Sequence, residues 1–170
     1  MEKQKISIIV AMSENRVIGK GDRIPWHIKE DLIRFRDKTI GHTVIMGRKT
    51  MDSLLSYYKK SRRPLPKRNH IIITHDKNYS VNFPNCYIIN SVIEAINLAK
   101  KIEKEEIFIS GGEQIFRQTI NLANKLYLTI VKGDFDGDKF FPDYSKFKKI
   151  VFEEDHRDEN YSFKFVEMER

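Results

Sequence analysis

Asp31 is the residue whose position points most directly to chemistry. In a helical frame starting near His27, Ile28, Leu32 and Phe35 fall at i, i+4 and i+7 and form an apolar stripe. Asp31 lies on that stripe, whereas Lys29, Glu30, Arg34 and Lys38 can point elsewhere. A carboxylate facing a core is costly unless it finds donors or takes up a proton. Three readings stay open: an acid hydrogen-bonded inside the fold, an acid at the stripe edge reaching water, or a lone acid at the base of an apolar pocket. In the last, the carboxylate would accept two parallel hydrogen bonds from an amidine-like or guanidine-like ligand.

Two further segments could hold an anion. Gly47-Arg48-Lys49-Thr50 follows the apolar run Val44-Ile45-Met46 and opens a helical pattern. It fails as a P-loop, because an Arg separates Gly from Lys and no upstream Gly stands at the required spacing. A helix N-terminus with two cations and a hydroxyl still suits phosphate; a solvated first turn is the alternative. Ser110-Gly111-Gly112-Glu113-Gln114-Ile115-Phe116 follows Ile107-Phe108-Ile109 in the same way. Its glycines permit close approach of a pyrophosphate or, equally, tight strand–helix packing. Two such junctions together suit an extended dinucleotide lying across the carboxyl ends of strands.

Asn15-Arg16-Val17-Ile18-Gly19-Lys20-Gly21-Asp22-Arg23-Ile24-Pro25-Trp26 reads as a long, turn-rich connection ending in the only tryptophan. Long loops in small domains tend to be functional, so a lid is expected here. Its Gly19-Lys20-Gly21 is not a Rossmann fingerprint, since Ile24 occupies the third glycine position. His27, His42, His70, His75 and His156 show no zinc-ligand spacing, so no metal site is expected. Glu153-Glu154-Asp155 reads as a solvated turn.

The elements that must position these residues alternate. Residues 6–11, 43–46, 69–74, 86–89 and 107–109 read as buried strands. Helices are expected at 27–39, 48–55, 92–102 and 112–122, the third opened by a capping box of Ser91 and Glu94. After Asn124 the pattern turns to strands at 125–132, 149–153 and 161–167. The expected fold is a single α/β domain over residues 1–170: a mostly parallel twisted sheet, helices on both faces, antiparallel C-terminal edge strands.

Composition agrees. At 170 residues, with 40% hydrophobic and 11% aromatic content, the chain can bury a core without staples. One cysteine, Cys86, allows no internal disulfide and fits a reducing cytoplasm. The apolar stretch 6–12 is too short for a membrane helix and lacks a signal-peptidase site. A net charge of +7 suits an anionic partner or simply solubility. Lys59-Lys60-Ser61-Arg62-Arg63-Pro64-Leu65-Pro66-Lys67-Arg68 carries six basic residues and no acid. Tyr57 and Tyr58 beside it would permit nucleic-acid binding, but no RNA-binding motif accompanies them.

Taken together, Val17-Ile18-Gly19, Ile24-Pro25-Trp26, Asp31-Leu32 with Phe35, Val44 to Thr50, Arg63-Pro64-Leu65-Pro66 with Arg68, Gly111-Gly112, Leu126-Tyr127-Leu128-Thr129, Asp136-Gly137-Asp138 and Phe141-Pro142 resemble the dihydrofolate reductases in order and spacing. The resemblance runs from about Ile6 to the C-terminus. It implies NADPH-dependent reduction of dihydrofolate, dihydrofolate and antifolate inhibitors as small-molecule partners, and a monomer in the cytoplasm with no nucleic-acid or membrane partner. Asp31, Trp26 and Thr129 would be the catalytic group, with Trp26 reaching Asp31 through an ordered water. Ile9, Val10, Leu32, Phe35, Leu65, Arg68 and Ser110 would complete the substrate site, Ile9 and Ser110 through backbone carbonyls and Arg68 at the glutamate carboxylate. Ala11 and the segment from Val17 to Arg23 would contact the nicotinamide half of the cofactor. Arg48, Lys49, Thr50, Thr74 and His75 would hold its adenosine phosphates, and Gly111, Gly112, Glu113, Gln114, Ile115 and Phe116 would run along the pyrophosphate. A reductase of a ribosylated pyrimidine would share the fold but lack the arrangement of Trp26, Asp31 and Phe35.

Four positions depart from the family pattern. Met51 and Phe116 stand where aromatics, for the latter tyrosine, are frequent, and Gln114 where some members have a base. Ser110 replaces an aliphatic residue. Residues 55–62 are expected to form a surface loop, longer than in many members.

Overall fold

A computed structural model describes residues 3–170. In chain order the elements are β1 (Lys5–Ser13), β2 (Val17–Gly19), α1 (Lys29–Thr39), β3 (Thr43–Gly47), α2 (Arg48–Ser61), β4 (Asn69–Ile73), β5 (Cys86–Ile89), α3 (Val92–Ile102), β6 (Glu106–Ile109), α4 (Glu113–Thr119), β7 (Lys125–Val131), β8 (Lys139–Phe140), β9 (Lys149–Arg157) and β10 (Ser162–Glu169). Eight strands form one sheet in the order β5-β4-β3-β6-β1-β7-β10-β9. The first six are parallel; β10 runs antiparallel to both β7 and β9. This is the expected architecture.

Alternation along the strands divides the core in two. Ile6, Ile8 and Met12 of β1 join Ile107, Ile109, Leu126 and Leu128 under α3 and α4. Ile9, Val44, Met46, Ile72, Phe108 and Tyr127 face the other way, packing with Met51 of α2, Phe35 of α1 and Leu65. Strands buried on both faces must be apolar at nearly every position, which is why these segments read as continuous apolar runs. The chain crosses from β1 to β3 by α1 and from β6 to β7 by α4, so the connections diverge to either side of the β1–β6 pair. A crevice forms beyond strand carboxyl ends at such a divergence.

Four local expectations are corrected. Residues 55–61 continue α2, ending at Arg62 in the left-handed region with φ 56°. No glycine or proline interrupts this stretch before Pro64, so nothing stops the helix earlier. Glu153, Glu154 and Asp155 lie inside β9, paired with β10, not in a turn. The connection after β1 contains a short strand, β2, paired with β8. Glycine permits that pairing: a Cβ on Gly137 would overlap the Val17 side chain and sit 2.7 Å from the Gly19 carbonyl oxygen. The helix after Gly112 is also shorter than expected, and Ser91 caps α3 by accepting from the Glu94 amide at 3.2 Å.

Candidate active site

The β1–β7 register places Ile9 beside Tyr127 and Ala11 beside Thr129, all on the face toward α1. Asp31, in the first turn of α1, meets this surface: the Thr129 hydroxyl donates to Asp31 Oδ1 at 2.5 Å. Loss of water raises the Asp31 pKa, and the Thr129 hydrogen bond and the positive charge of Arg34 offset only part of that rise. The sequence left three environments open for this acid; the structure places it half-buried on the sheet, hydrogen-bonded, with its charge poorly solvated. Trp26 is buried beside the start of α1, packed edge-on against Phe135 with 5.1 Å between ring centroids. No direct hydrogen bond joins Trp26 to Asp31 among the described residues.

Farther along α1, Phe35 packs with Leu65, and the Arg68 guanidinium lies 5.2 Å from the Phe35 ring centroid. Arg68 is 4% exposed, yet no carboxylate pairs with it among the described residues. Its Nη1 donates to Thr39 Oγ1 at 3.2 Å and its Nη2 to the Tyr58 hydroxyl at 3.5 Å, while Nε has no partner. A buried guanidinium without a counter-charge is a ready site for an anion. Leu32 is half-buried on the same helix.

Both proposed phosphate junctions come together. The Gly47 amide donates to the Gly111 carbonyl at 2.8 Å. A Cβ on Gly47 would stand 3.2 Å from the Ile115 side chain, and one on Gly111 (φ 127°) 3.4 Å from the Phe116 ring and 3.6 Å from Thr50 Oγ1. Ile115 and Phe116 therefore support the glycine pair from beneath, as buried core. The peptide between Gly111 and Gly112 is cis. Gly47 caps α2 without a side-chain acceptor, leaving the first-turn amides of a 14-residue helix open. Residues of this kind fit a dinucleotide diphosphate: open amides, bare backbone, and Arg48, Lys49 and Thr50 on one turn.

Other members of the expected cofactor set are engaged with protein. Arg48 lies 3.4 Å from Asp52, which also accepts the Tyr79 hydroxyl at 2.8 Å. Lys49 stands 3.9 Å from Asp22, linking α2 to the connection after β1. In that connection Lys20 pairs with Asp136 at 2.5 Å, Asp138 accepts the Gly21 amide at 3.0 Å, and Lys20 and Arg23 bridge each other through their backbones. Val17 turns inward against Gly137, with Ile18 half-buried. Glu113 accepts the Phe140 amide at 2.7 Å, tying α4 to β8, and Gln114 is exposed. Thr74 follows the end of β4, its amide bonded to the Ile89 carbonyl; the next residue, His75, is exposed.

One candidate is not brought to the site. Val10 packs toward α3 and α4, on the opposite face from Asp31, because strand alternation separates it from Ile9 and Ala11.

The sequence reading missed a charged cluster behind Asp31. Arg34 lies over the Phe165 ring at 4.4 Å and reaches Glu167 at 3.5 Å; Lys125 and Lys38 reach the same carboxylate at 2.7 and 3.7 Å. Burial alone would raise the Glu167 pKa, but these cations outweigh it and hold the carboxyl below its ordinary value. No spacing rule links residues 34, 125 and 167: Lys125 and Glu167 meet through the β7–β10 pairing, and Arg34 through the packing of α1 on the sheet.

A mostly parallel α/β sheet with two converging strand–helix junctions at the carboxyl ends of β3 and β6 defines the class: a doubly wound α/β protein whose site fits a dinucleotide diphosphate. The family model for dihydrofolate reductase matches residues 5–170, and the chain belongs to that family. It is 40% identical to the dihydrofolate reductase of Staphylococcus haemolyticus, over 98% of this chain and 96% of that one. It is 35% identical to that of Bacillus subtilis, over 97% and 94%. Among solved structures, dihydrofolate reductase from Enterococcus faecalis complexed with NADP(H) and RAB-propyl superposes with a TM-score of 0.82, at 30% identity, covering 98% of this chain and 96% of that chain.

Proposed function

We propose that this chain reduces 7,8-dihydrofolate to tetrahydrofolate with NADPH, and that Asp31 organises the reaction. The observation that carries the reading is a half-buried carboxyl, bonded to Thr129 and raised in pKa, at the crevice beside two converging strand–helix junctions. In this reading Asp31 grips the 2-amino and N3 edge of the pterin, and Thr129 fixes the carboxyl's orientation. The backbone carbonyls of Ile9 and Ser110 meet the far edge of the ring. Leu32, Phe35 and Leu65 line the benzoyl group, and Arg68 pairs with the glutamate carboxylate, which would supply its missing counter-charge.

The bound cofactor supplies a hydride to pterin C6. Arg48, Lys49 and Thr50, with Thr74 and His75 alongside, would hold its phosphates, and Ala11 with the segment 17–23 its nicotinamide half. An apolar crevice that excludes water brings both rings together and strengthens the hold of Asp31 on the pterin. The negative charge of Asp31 favours protonation at N5, with water as the immediate donor.

The chain acts as a single domain over residues 1–170, a cytoplasmic monomer with small-molecule partners and no nucleic acid. No helix among the described residues is long and apolar enough to cross a membrane. The test is loss of reduced-nicotinamide absorbance on adding dihydrofolate, with NADH run beside NADPH. Asp31→Asn should lower turnover about 10²-fold or more near neutral pH, the scale of losing one preorganised electrostatic group. An unaltered kcat and pH profile would remove Asp31 from the reaction.

A further inference from the structure

Ser110 is one residue past β6, and its amide extends the hydrogen bonding to β3 by donating to Ile45 at 3.0 Å. The pairing of Ile8 with Ile109 sets Ser110 level with Ile9. By alternation with Phe108, its side chain faces the α1 side, where Ile9, Ala11 and Thr129 lie. Its hydroxyl is buried and has no hydrogen-bond partner among the described residues. A hydroxyl both donates and accepts, so a small side chain that rotates freely seldom remains unpaired inside a protein. Ile9, Met46 and Phe108, which share this face of the sheet, are apolar.

The position of the orphan relative to Thr129 follows from the strand order. Thr129, which holds Asp31, sits on β7; Ser110 sits on β6; β1 lies between them. Two strand spacings across the sheet and two residues along it separate the pair, roughly 12 Å. That span accommodates a bicyclic heterocycle gripped at one edge by Asp31.

We propose that the Ser110 side-chain hydroxyl is a ligand-binding group, completed only when an amide-type edge, a ring lactam or a carboxamide, enters the crevice. The inference rests on the proposed reading of the crevice and adds a side-chain contact to the backbone carbonyl already assigned at this position. Both reacting molecules carry such an edge: the pterin lactam and the nicotinamide carboxamide. The free protein then bears an unsatisfied hydroxyl that the ligand relieves, so ligand affinity and the stability of the free fold should respond to Ser110→Ala in opposite directions.

The experiment is calorimetric titration of parent and Ser110→Ala with folate alone and with NADPH alone, together with melting of the free proteins. Binding of one ligand should weaken about three- to tenfold, the worth of one neutral hydrogen bond. The free variant should melt at the parent's temperature or slightly above it. Loss confined to folate assigns the hydroxyl to the pterin; loss confined to NADPH assigns it to the carboxamide. Unchanged affinity for both ligands overturns the inference, as does a free variant that melts lower while both affinities fall together. Asp31→Asn titrated with folate in parallel separates the two levels: if that variant also binds folate unchanged, the reading of the crevice has failed; if it binds weakly, only the Ser110 contact has.

Discussion

The Thr129 hydroxyl donates to the Asp31 carboxylate at 2.5 Å, joining β7 to the first turn of α1 across 98 residues of sequence. That single bond does not compensate the lost hydration, and the carboxyl stays above its ordinary pKa. The folded state thus binds this proton more tightly than the unfolded chain, so stability falls as pH rises from the ordinary carboxylate value to the raised one. Above that window the penalty is fully present. Asp31→Asn carries no charge at any pH and should melt a few degrees above the parent near about pH 8, with the gain shrinking toward about pH 4. Scanning calorimetry across that range checks it; a gap independent of pH would contradict a desolvated charge.

His70 behaves in the opposite sense. It is 1% exposed, with neither ring nitrogen hydrogen-bonded among the described residues. Burial, and then the nearby charge of Arg68, push its pKa down to about 4. Native His70 is therefore neutral where unfolded His70 takes up a proton, and stability is lost as pH falls from about 6.5 to about 4. The full loss is on the order of 3 kcal/mol. His70→Leu should flatten that limb of the melting-temperature profile while leaving the region above about pH 7 with little slope change. A variant with the parent's acid slope would show that other groups set it.

Most of this fold was legible because its chemistry is local. Strands buried on both faces announce themselves as apolar runs, and the Ser91 cap fixes the start of α3 within four residues of sequence. Asp31 stood out because one charge interrupted a helical stripe. What stayed hidden depends on distant partners. The β2–β8 pair rests on Val17 meeting Gly137, and strands of three and two residues carry no periodic signal. Arg34 and Glu167 look like ordinary surface charges until the packing of α1 on the sheet brings them together. The basic end of α2 was misread because its charges resemble a loop, although the absence of a breaker was the better signal.

Glu103 is another residue that no motif marks. It follows α3 as its C-cap, and its carboxylate accepts the Thr43 amide at 2.6 Å and the amides of Lys104 and Glu105 at 3.1 Å. Burial would raise its pKa, but these amides and His42 more than offset that and hold it below the ordinary value. Glu103→Ala strands the buried Thr43 amide at the start of β3. The expected cost is about 2–3 kcal/mol, seen as a melting temperature about 4–12 °C lower. Folate affinity at temperatures where the variant is folded should not change, since Glu103 lies at the amino end of β3, away from the crevice. An unshifted melting temperature would show that water replaces the carboxylate without loss.

Gly137 tests whether the connection after β1 must be seated for turnover. The carbonyl of Gly19 accepts the Asp138 amide at 3.1 Å, and Asp138 in turn accepts the Gly21 amide at 3.0 Å. Both contacts require the two segments to touch at Gly137, where even a methyl group would sit 2.7 Å from the Gly19 oxygen. Backbone on one side and a buried Val17 on the other leave no flexible atom to yield. Gly137→Ala should therefore unseat residues 17–23 while leaving the eight-stranded sheet intact, because β2 and β8 form a separate ladder. Hydrogen exchange should rise across residues 17–23 and 137–140 and stay low in β1 and β7. If the segment closes the nicotinamide side of the crevice, kcat should fall about tenfold or more, the cost of roughly 1.4 kcal/mol in the transition state, with folate affinity nearly unchanged. Faster exchange with undiminished kcat would assign these contacts to stability alone.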